Sequence, residues 1–457
     1  MLGTGGTHRP AQKWTNMLKS TASRYLISDA LSLLGNSIAG VVLPLVLLAR
    51  TGDVLAAGSL ALICAGPQFI CGILGGALLD RVNRKLTCVV SDLISALAVA
   101  LLPIVDATFG LSFGWFAALG LLGAVGDVPG MTARDALLPE VCGREGVELQ
   151  RFVGASQSIG SLITIAGPAV AALLIGAMPD VDALWVTAAC SFAAALVTLT
   201  LPKGVGAIAH AREVTPASET HPAQTRTSSA FEGGAVRSLL NSGRSILANG
   251  LTALFVKSRL LRASTLLSFC LTMVMASWQG IILPTHFTEA GTPELTGVFV
   301  SAMGLGMLVG SMGYTACSHL LSRRAWLCAS LMGTAAAAVV MSTLPNTALL
   351  LISAAALGLF AGPASALLSF FAFDLVDDSC RGAAMGTLNA LYLIVAPLGT
   401  FAGSALITLI DIYGTCFVLG VLWICAVAAA LITPALRDLG DAYTHAGVQD
   451  SQKGCAR

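Results

Sequence analysis

Long uninterrupted apolar stretches run from residue 25 to residue 434, separated by polar joints of which one, 202–262, is long; the joints and the two tails carry nearly all the charge. A helix crossing the hydrocarbon core of a bilayer needs about 20 such residues. Twelve stretches reach or approach that length: 25–50, 55–79, 86–108, 112–133, 152–177, 182–201, 263–287, 292–316, 326–344, 346–371, 384–410 and 412–434. Their apolar character is continuous rather than alternating, which excludes the strands of a membrane barrel. The pattern predicts an all-α membrane protein whose twelve transmembrane helices form two pseudo-symmetric six-helix bundles. The boundaries that follow are a tail over 1–24, a first bundle over 25–201, a linker over 202–262, a second bundle over 263–434 and a tail over 435–457.

Charge fixes the orientation of that pattern. Of the 25 lysines and arginines, all but Arg50 fall on one side of the membrane if the chain starts in the cytoplasm. The positive-inside rule then predicts both termini in the cytoplasm and an even number of spans. One missed or invented helix would scramble the alternation. Residues 1–24 lack the apolar core of a cleavable signal, so the first span is expected to insert uncleaved. Charged residues make up 11% of the 457, against about 25% in an ordinary soluble protein. Lipid is therefore the expected solvent. A net charge of +1 offers no basic field for nucleic acid. The 12 cysteines show no CxxC and no Cys/His cluster, and most, such as Cys64, Cys71, Cys190, Cys270 and Cys425, lie in apolar runs as small hydrophobes.

The stretch 212–230 is rich in Ser, Thr, Pro and Ala, which predicts a disordered linker. Between Ala235 and Leu260, apolar residues alternate with Arg237, Arg244, Lys257 and Arg259, the pattern of a basic amphipathic helix on the inner membrane face. The two halves echo each other weakly. Ala166-Gly167-Pro168 in the fifth span corresponds to Ala396-Pro397-Leu398-Gly399 in the eleventh, and both mark expected helix bends.

The joint between the second and third spans carries the sharpest motif, Gly76-Ala-Leu-Leu-Asp80-Arg81-Val-Asn83-Arg84-Lys85. It resembles the cytoplasmic loop signature of the major facilitator superfamily, with Asn83 where glycine is usual. Asn tolerates the left-handed backbone such a turn needs. The resemblance implies that Asp80 latches the two halves on the cytoplasmic side, with Gly76 allowing close helix approach and Arg81, Arg84 and Lys85 as charge partners. Gly167-Pro168-Ala169-Val170-Ala171-Ala172 is similar to the Gly-Pro motif of the superfamily's exporters, with alanines for the later glycines. Ala133-Arg134-Asp135-Ala136-Leu137-Leu138-Pro139-Glu140, after the fourth span, resembles the efflux branch that includes macrolide and siderophore exporters.

A buried carboxylate is costly unless paired or protonated. Asp29, Asp92 and Asp127 lie within spans, all in the first half, and are the proton-coupling candidates. Asp127 is also a candidate partner of Arg84 or Arg81 in the latch, and Asp29 of Arg24. Asn36, Gln68, Gln157, Trp278, Gln279, Asn389 and Tyr392 are candidates for a substrate cavity between the halves. No nucleotide-binding loop, HExxH or nucleophile elbow is present, so no cofactor or enzymatic chemistry is expected. The expected function is export of a small amphiphilic molecule, driven by protons, from a monomer in a bacterial plasma membrane. An importer of the same fold, or a non-transporting receptor or scaffold, is the alternative.

Overall fold

A computed structural model describes residues 20–79, 82–145, 149–178, 181–202, 204–206, 243–244, 247–256, 258–374, 376 and 381–433, the side chains of 74–79, 149–151, 372–374 and 381–383 excepted. Asp80, Arg81, residues 1–19 and 434–457, and residues 207–242, which hold the expected disordered stretch, lie outside the described residues, while the end of the expected N-terminal tail, from Thr21, is already helical.

Helix starts follow local chemistry. Ser20 caps α1 (Thr21–Thr51), its hydroxyl accepting from Ser23 N at 3.2 Å. After α2 (Val54–Leu79), Asn83 caps α3 (Arg84–Phe109) by accepting from Leu86 N at 3.1 Å. Asn83 has φ −70° and ψ 112°, so it is an extended capping residue and not the left-handed turn expected. Next come α4 (Phe113–Glu145), α5 (Leu149–Ala177) and α6 (Ala183–Leu199). Helix α7 starts at Arg259–Ser277, passes through a π turn at Trp278–Ile282 and continues as Leu283–Glu289. Helices α8 (Leu295–Cys317), α9 (Arg323–Ser342) and α10 (Thr347–Asp374) follow. The last run, Arg381–Ile432, is broken at Asp411, where φ is 69° and ψ 177°, into α11 (381–410) and α12 (412–432). Among the described residues ten helices are long and apolar enough to span a bilayer. The last of them is long enough for two crossings, and the apolar 17-residue α6 completes the predicted twelve.

One boundary differs in a way that matters. Helix α4 continues through Pro139 to Glu145, so the Arg134–Glu140 motif is helical and Arg134 turns into the protein. Pro139 interrupts one bond of the ladder without ending the helix.

Helix α1 packs on α4, α5 and α6, while α3 packs on α4 and α6 and α2 on α4. In the second half α10 packs on α8 and α9, and α7 on α11. The halves meet chiefly along α2 on α11 and α5 on α8, with a smaller contact of α1 on α7. A continuous apolar core runs through both, including Val42, Leu47, Ile281, Phe287 and Phe299. At the basic end, residues 247–255 are helical, and Ala253 and Leu254 bury against Leu261, Ala384 and Leu388. This described part of the expected amphipathic helix turns its buried side to protein.

Candidate functional site

Helices α1, α3 and α4 converge on a buried charged group. Arg134 of α4 forms an ion pair with Asp92 of α3, their side chains 7% and 5% exposed. The second guanidinium nitrogen, Nη1, donates to Ser28 Oγ at 2.8 Å, and Ser28 in turn reaches the Ala194 carbonyl of α6 at 3.1 Å. Ser32 Oγ donates to the other oxygen of Asp92 at 3.0 Å. Tyr25 Oη donates to the Arg134 carbonyl at 3.0 Å. The pair is thus hydrogen-bonded on both sides, the condition under which a desolvated ion pair is tolerated.

The other two aspartates have hydroxyl partners only. Ser156 Oγ of α5 donates to Asp29 Oδ2 at 3.1 Å. Ser95 of α3 hydrogen-bonds to Asp127. Asp29, Asp92, Asp127 and Arg134 surround a small space of about 20 Å³, room for a single water. Among these four side chains one cation stands against three carboxyls.

Asp127 and Asn36 also face a larger cavity of about 470 Å³. Its walls are mostly apolar, from Leu43 and Leu47 of α1, Leu60 of α2, Val99 of α3 and Phe116 and Val128 of α4, with Leu393 and Pro397 of α11 closing one side. Gln68, Ser95, Thr187 and Ser191 supply the polar points. The Thr187 hydroxyl is buried without a hydrogen-bond partner among the described residues. Among the described residues Asp127 is the only ionisable carboxyl on this wall, and no lysine or arginine lines it. A mostly apolar pocket of this size with a few convergent polar groups is the usual build of a small-molecule site.

The remaining candidates are dispersed. Gln157 is exposed on α5 and Asn389 on α11. Trp278 is 1% exposed within the π turn that also holds Gln279, and neither lines the cavity. Tyr392 hydrogen-bonds to Ser268 and meets Phe269 edge-on with centroids 5.3 Å apart. Arg84 donates to the Ala136 carbonyl at 3.3 Å and Lys85 Nζ to the Leu199 carbonyl at 2.9 Å, so both tie down helices within the first half. The expected pairings of Asp127 with Arg84 and of Asp29 with Arg24 do not form; Arg24 donates to the Thr200 carbonyl at 2.8 Å. Gly76 lies within α2, while Asp80 and Arg81 are outside the described residues.

Gly167 fits against Ser37 of α1 and Pro168 against Gly297 of α8. Proline removes the bond to the carbonyl four residues earlier, and the adjacent Ile165 carbonyl accepts from Ser301 Oγ of α8 at 2.7 Å. Glu140, in the third motif, accepts the Gly206 amide at 2.9 Å and pins the chain that leaves α6. No group of three or more His, Cys, Asp or Glu able to hold a metal occurs among the described residues, and the described cysteines are free thiols.

Twelve apolar helices in two joined sets, with buried charges inside the first set and a cavity beside them that reaches α11 of the second, define a multi-pass integral membrane transporter of small molecules rather than an enzyme. The Major Facilitator Superfamily profile matches residues 25–275 and again 265–442, and the chain belongs to that superfamily. It is 26% identical over 408 residues to the multidrug efflux pump Tap of Mycolicibacterium fortuitum, covering 89% of this chain and 93% of the pump. The Tap pump of Mycobacterium tuberculosis is likewise 26% identical, over 93% of this chain and 96% of its own. Among solved structures, the nucleoside transporter NupG superposes with a TM-score of 0.69 at 13% identity, covering 90% of this chain and 98% of its own. A bacterial homologue of the iron transporter ferroportin in the inward-facing state reaches 0.63 at 16% identity, covering 89% and 98%.

Proposed function

We propose that the protein exports small amphiphilic molecules, drugs among them, across a bacterial plasma membrane by alternating access in exchange for protons. Both termini lie in the cytoplasm, the chain works as a monomer embedded in lipid, and 25–201 and 263–434 are the two rocking bundles. The observation that carries this reading is the position of Asp127, which faces the charged cluster on one side and the 470 Å³ cavity on the other. A proton there removes an unpaired charge from a low-dielectric wall. A proton and a substrate's polar group therefore compete for one place. The efflux relatives and the Gly167-Pro168 motif support the outward direction.

In this reading Arg134 and Asp92 hold α3 to α4, while Asp29 and Asp127 carry protons in turn. Gly76, Asp80, Arg81, Arg84 and Lys85 form the cytoplasmic latch, with Asp80 reaching the other half. Pro168 and Pro397 let α5 and α11 bend.

Everted membrane vesicles test it directly. Uptake of ethidium should require a proton gradient and collapse with an uncoupler. Asp127→Asn should reduce gradient-driven uptake at least tenfold while the protein stays folded. Retained gradient dependence in Asp29→Asn, Asp92→Asn and Asp127→Asn alike would end the proton reading.

A further inference from the structure

The cavity beside Asp127 has a direction. On three of its helices the lining runs from a polar residue to an apolar one eleven positions away: Asn36 to Leu47 on α1, Gln68 to Ala57 on α2 and Asp127 to Phe116 on α4. Helices α2 and α4 run opposite to α1, so the three polar members share the end nearer the basic side. Ser95 to Leu102 on α3 repeats the order over a shorter reach, and Ser95 is bonded to Asp127. Helix α6 adds its two hydroxyl residues at the same end: a Cβ on Gly35, the neighbour of Asn36, would lie 3.1 Å from Ser191 Oγ and 3.3 Å from the Thr187 carbonyl. Eleven residues of helix are about 16 Å.

One end is open and the other shut. Asn36 is exposed, and so is Met131, one turn beyond Asp127 on α4. Leu47, Ala57, Leu102 and Phe116 at the far end are all buried. Spread over that length, 470 Å³ is a mean cross-section of about 30 Å², room for one hydrocarbon chain or the edge of a flat ring. Small residues keep the middle clear. Gly40 of α1 stands about 6 Å in from Asn36, and Ala61 of α2 about 10 Å in from Gln68. A Cβ on Gly40 would meet nothing within 4 Å.

We propose that this cavity is a blind slot that measures its substrate: an elongated amphiphile enters apolar end first and stops with its polar head among Asn36, Gln68, Asp127 and Thr187. The reverse orientation would bury the head where no lining side chain can hydrogen-bond it. Each methylene that reaches the apolar wall adds affinity until the chain meets Leu47 and Phe116. Gly40 and Ala61 determine specificity, because their size sets how far a chain can go. This rests on the export reading and adds to it a limit on length.

Alkyltrimethylammonium ions, competing with ethidium uptake in everted vesicles below their micellar concentrations, read the length. Inhibition should strengthen about fourfold per methylene from butyl to dodecyl and less than twofold in all from dodecyl to hexadecyl. Gly40→Leu should move that limit to butyl and Ala61→Leu to octyl. Partition into lipid cancels in the ratio of variant to parent inhibition, which should depart from one only above each limit. One limit shared by all three proteins, or no limit through hexadecyl in the parent, overturns the proposal. Occupancy can also be read without transport, since Cys64 lines the slot about 6 Å in from Gln68. In a variant that keeps Cys64 as its one cysteine, dodecyltrimethylammonium should slow N-ethylmaleimide labelling at least fivefold and tetramethylammonium less than twofold. Equal protection by both ions, or by neither, overturns the proposal independently. If the parent takes up no ethidium, the export reading is what has failed, and Cys64 still decides whether the slot holds a chain.

Discussion

The interiors of the two halves differ in kind although their helices are arranged alike. In the first half α1, α3 and α4 bring Asp29, Asp92, Asp127 and Arg134 together and leave a cavity beside them. In the second half no charged side chain is buried among the described residues. Helices α8 and α10 instead press together through Gly306, Gly310, Gly358 and Gly362, each facing backbone of the partner helix. Trp278, Phe299, Phe371 and Trp423 fill the rest. In lipid, helices associate through close packing and polar contacts, with no hydrophobic drive between them. One half relies mainly on the first device and the other adds the second. In the proposed exchange the ion chemistry would fall to the first half, and the second would be its closely packed counterpart.

The sharpest way to break the comparison is to remove the cation. Arg134→Ala leaves Asp92 buried with only Ser32 as partner. Losing one member of a buried pair costs about 3–5 kcal/mol. Thermal unfolding in detergent should show that loss, and gradient-driven uptake should vanish. Arg134→Gln combined with Asp92→Asn should recover at least half of the stability and none of the coupling. A single variant as stable as the parent would mean the pair is solvated, and the first half would then hold no costly charge.

The second half is tested by a methyl group. In Gly358→Ala the new Cβ runs into the Met303 carbonyl, which is backbone and cannot swing aside. Overpacking of this kind costs about 1–3 kcal/mol. The same unfolding assay should show it, with uptake reduced in proportion to folded protein and its proton dependence unchanged. A change in coupling would place ion chemistry in the half that buries no charged side chain among the described residues.

Much of this architecture is legible in the residues. Apolar runs and cation placement are enough for twelve helices, because lipid imposes one solution on the backbone. The charged cluster is only half legible. Asp29, Asp92 and Asp127 stand out as acids within spans, but Arg134 reads as a loop cation because it follows the apolar run and fits the positive-inside count. The spacing held a signal: Asp127 and Arg134 are seven residues apart, two turns on one helical face. Partners such as Ser28, Ser32, Ser95 and Ser156 depend on which helices meet, and serine is too common in these spans to single out. Asn83 illustrates the opposite error, a turn residue read for its backbone tolerance when its side chain was doing the capping.

The smallest effect is the most diagnostic, because it repeats one substitution in the other half. Gly123 lines the first-half cavity, and the nearest atom to a Cβ there is Ala98 Cβ at 3.8 Å, an ordinary contact. Gly123→Ala should therefore be neutral or stabilise by about 0.5–1 kcal/mol, since alanine favours the helix and nothing resists the methyl. Uptake of ethidium should change less than twofold, as one methyl removes little of the 470 Å³. The opposite signs of Gly123→Ala and Gly358→Ala in one unfolding assay would separate an open half from a packed one. If Gly123→Ala instead destabilised as much as Gly358→Ala, the first half would be as tightly packed as the second, and Asp127 would face no cavity in which a substrate and a proton could compete.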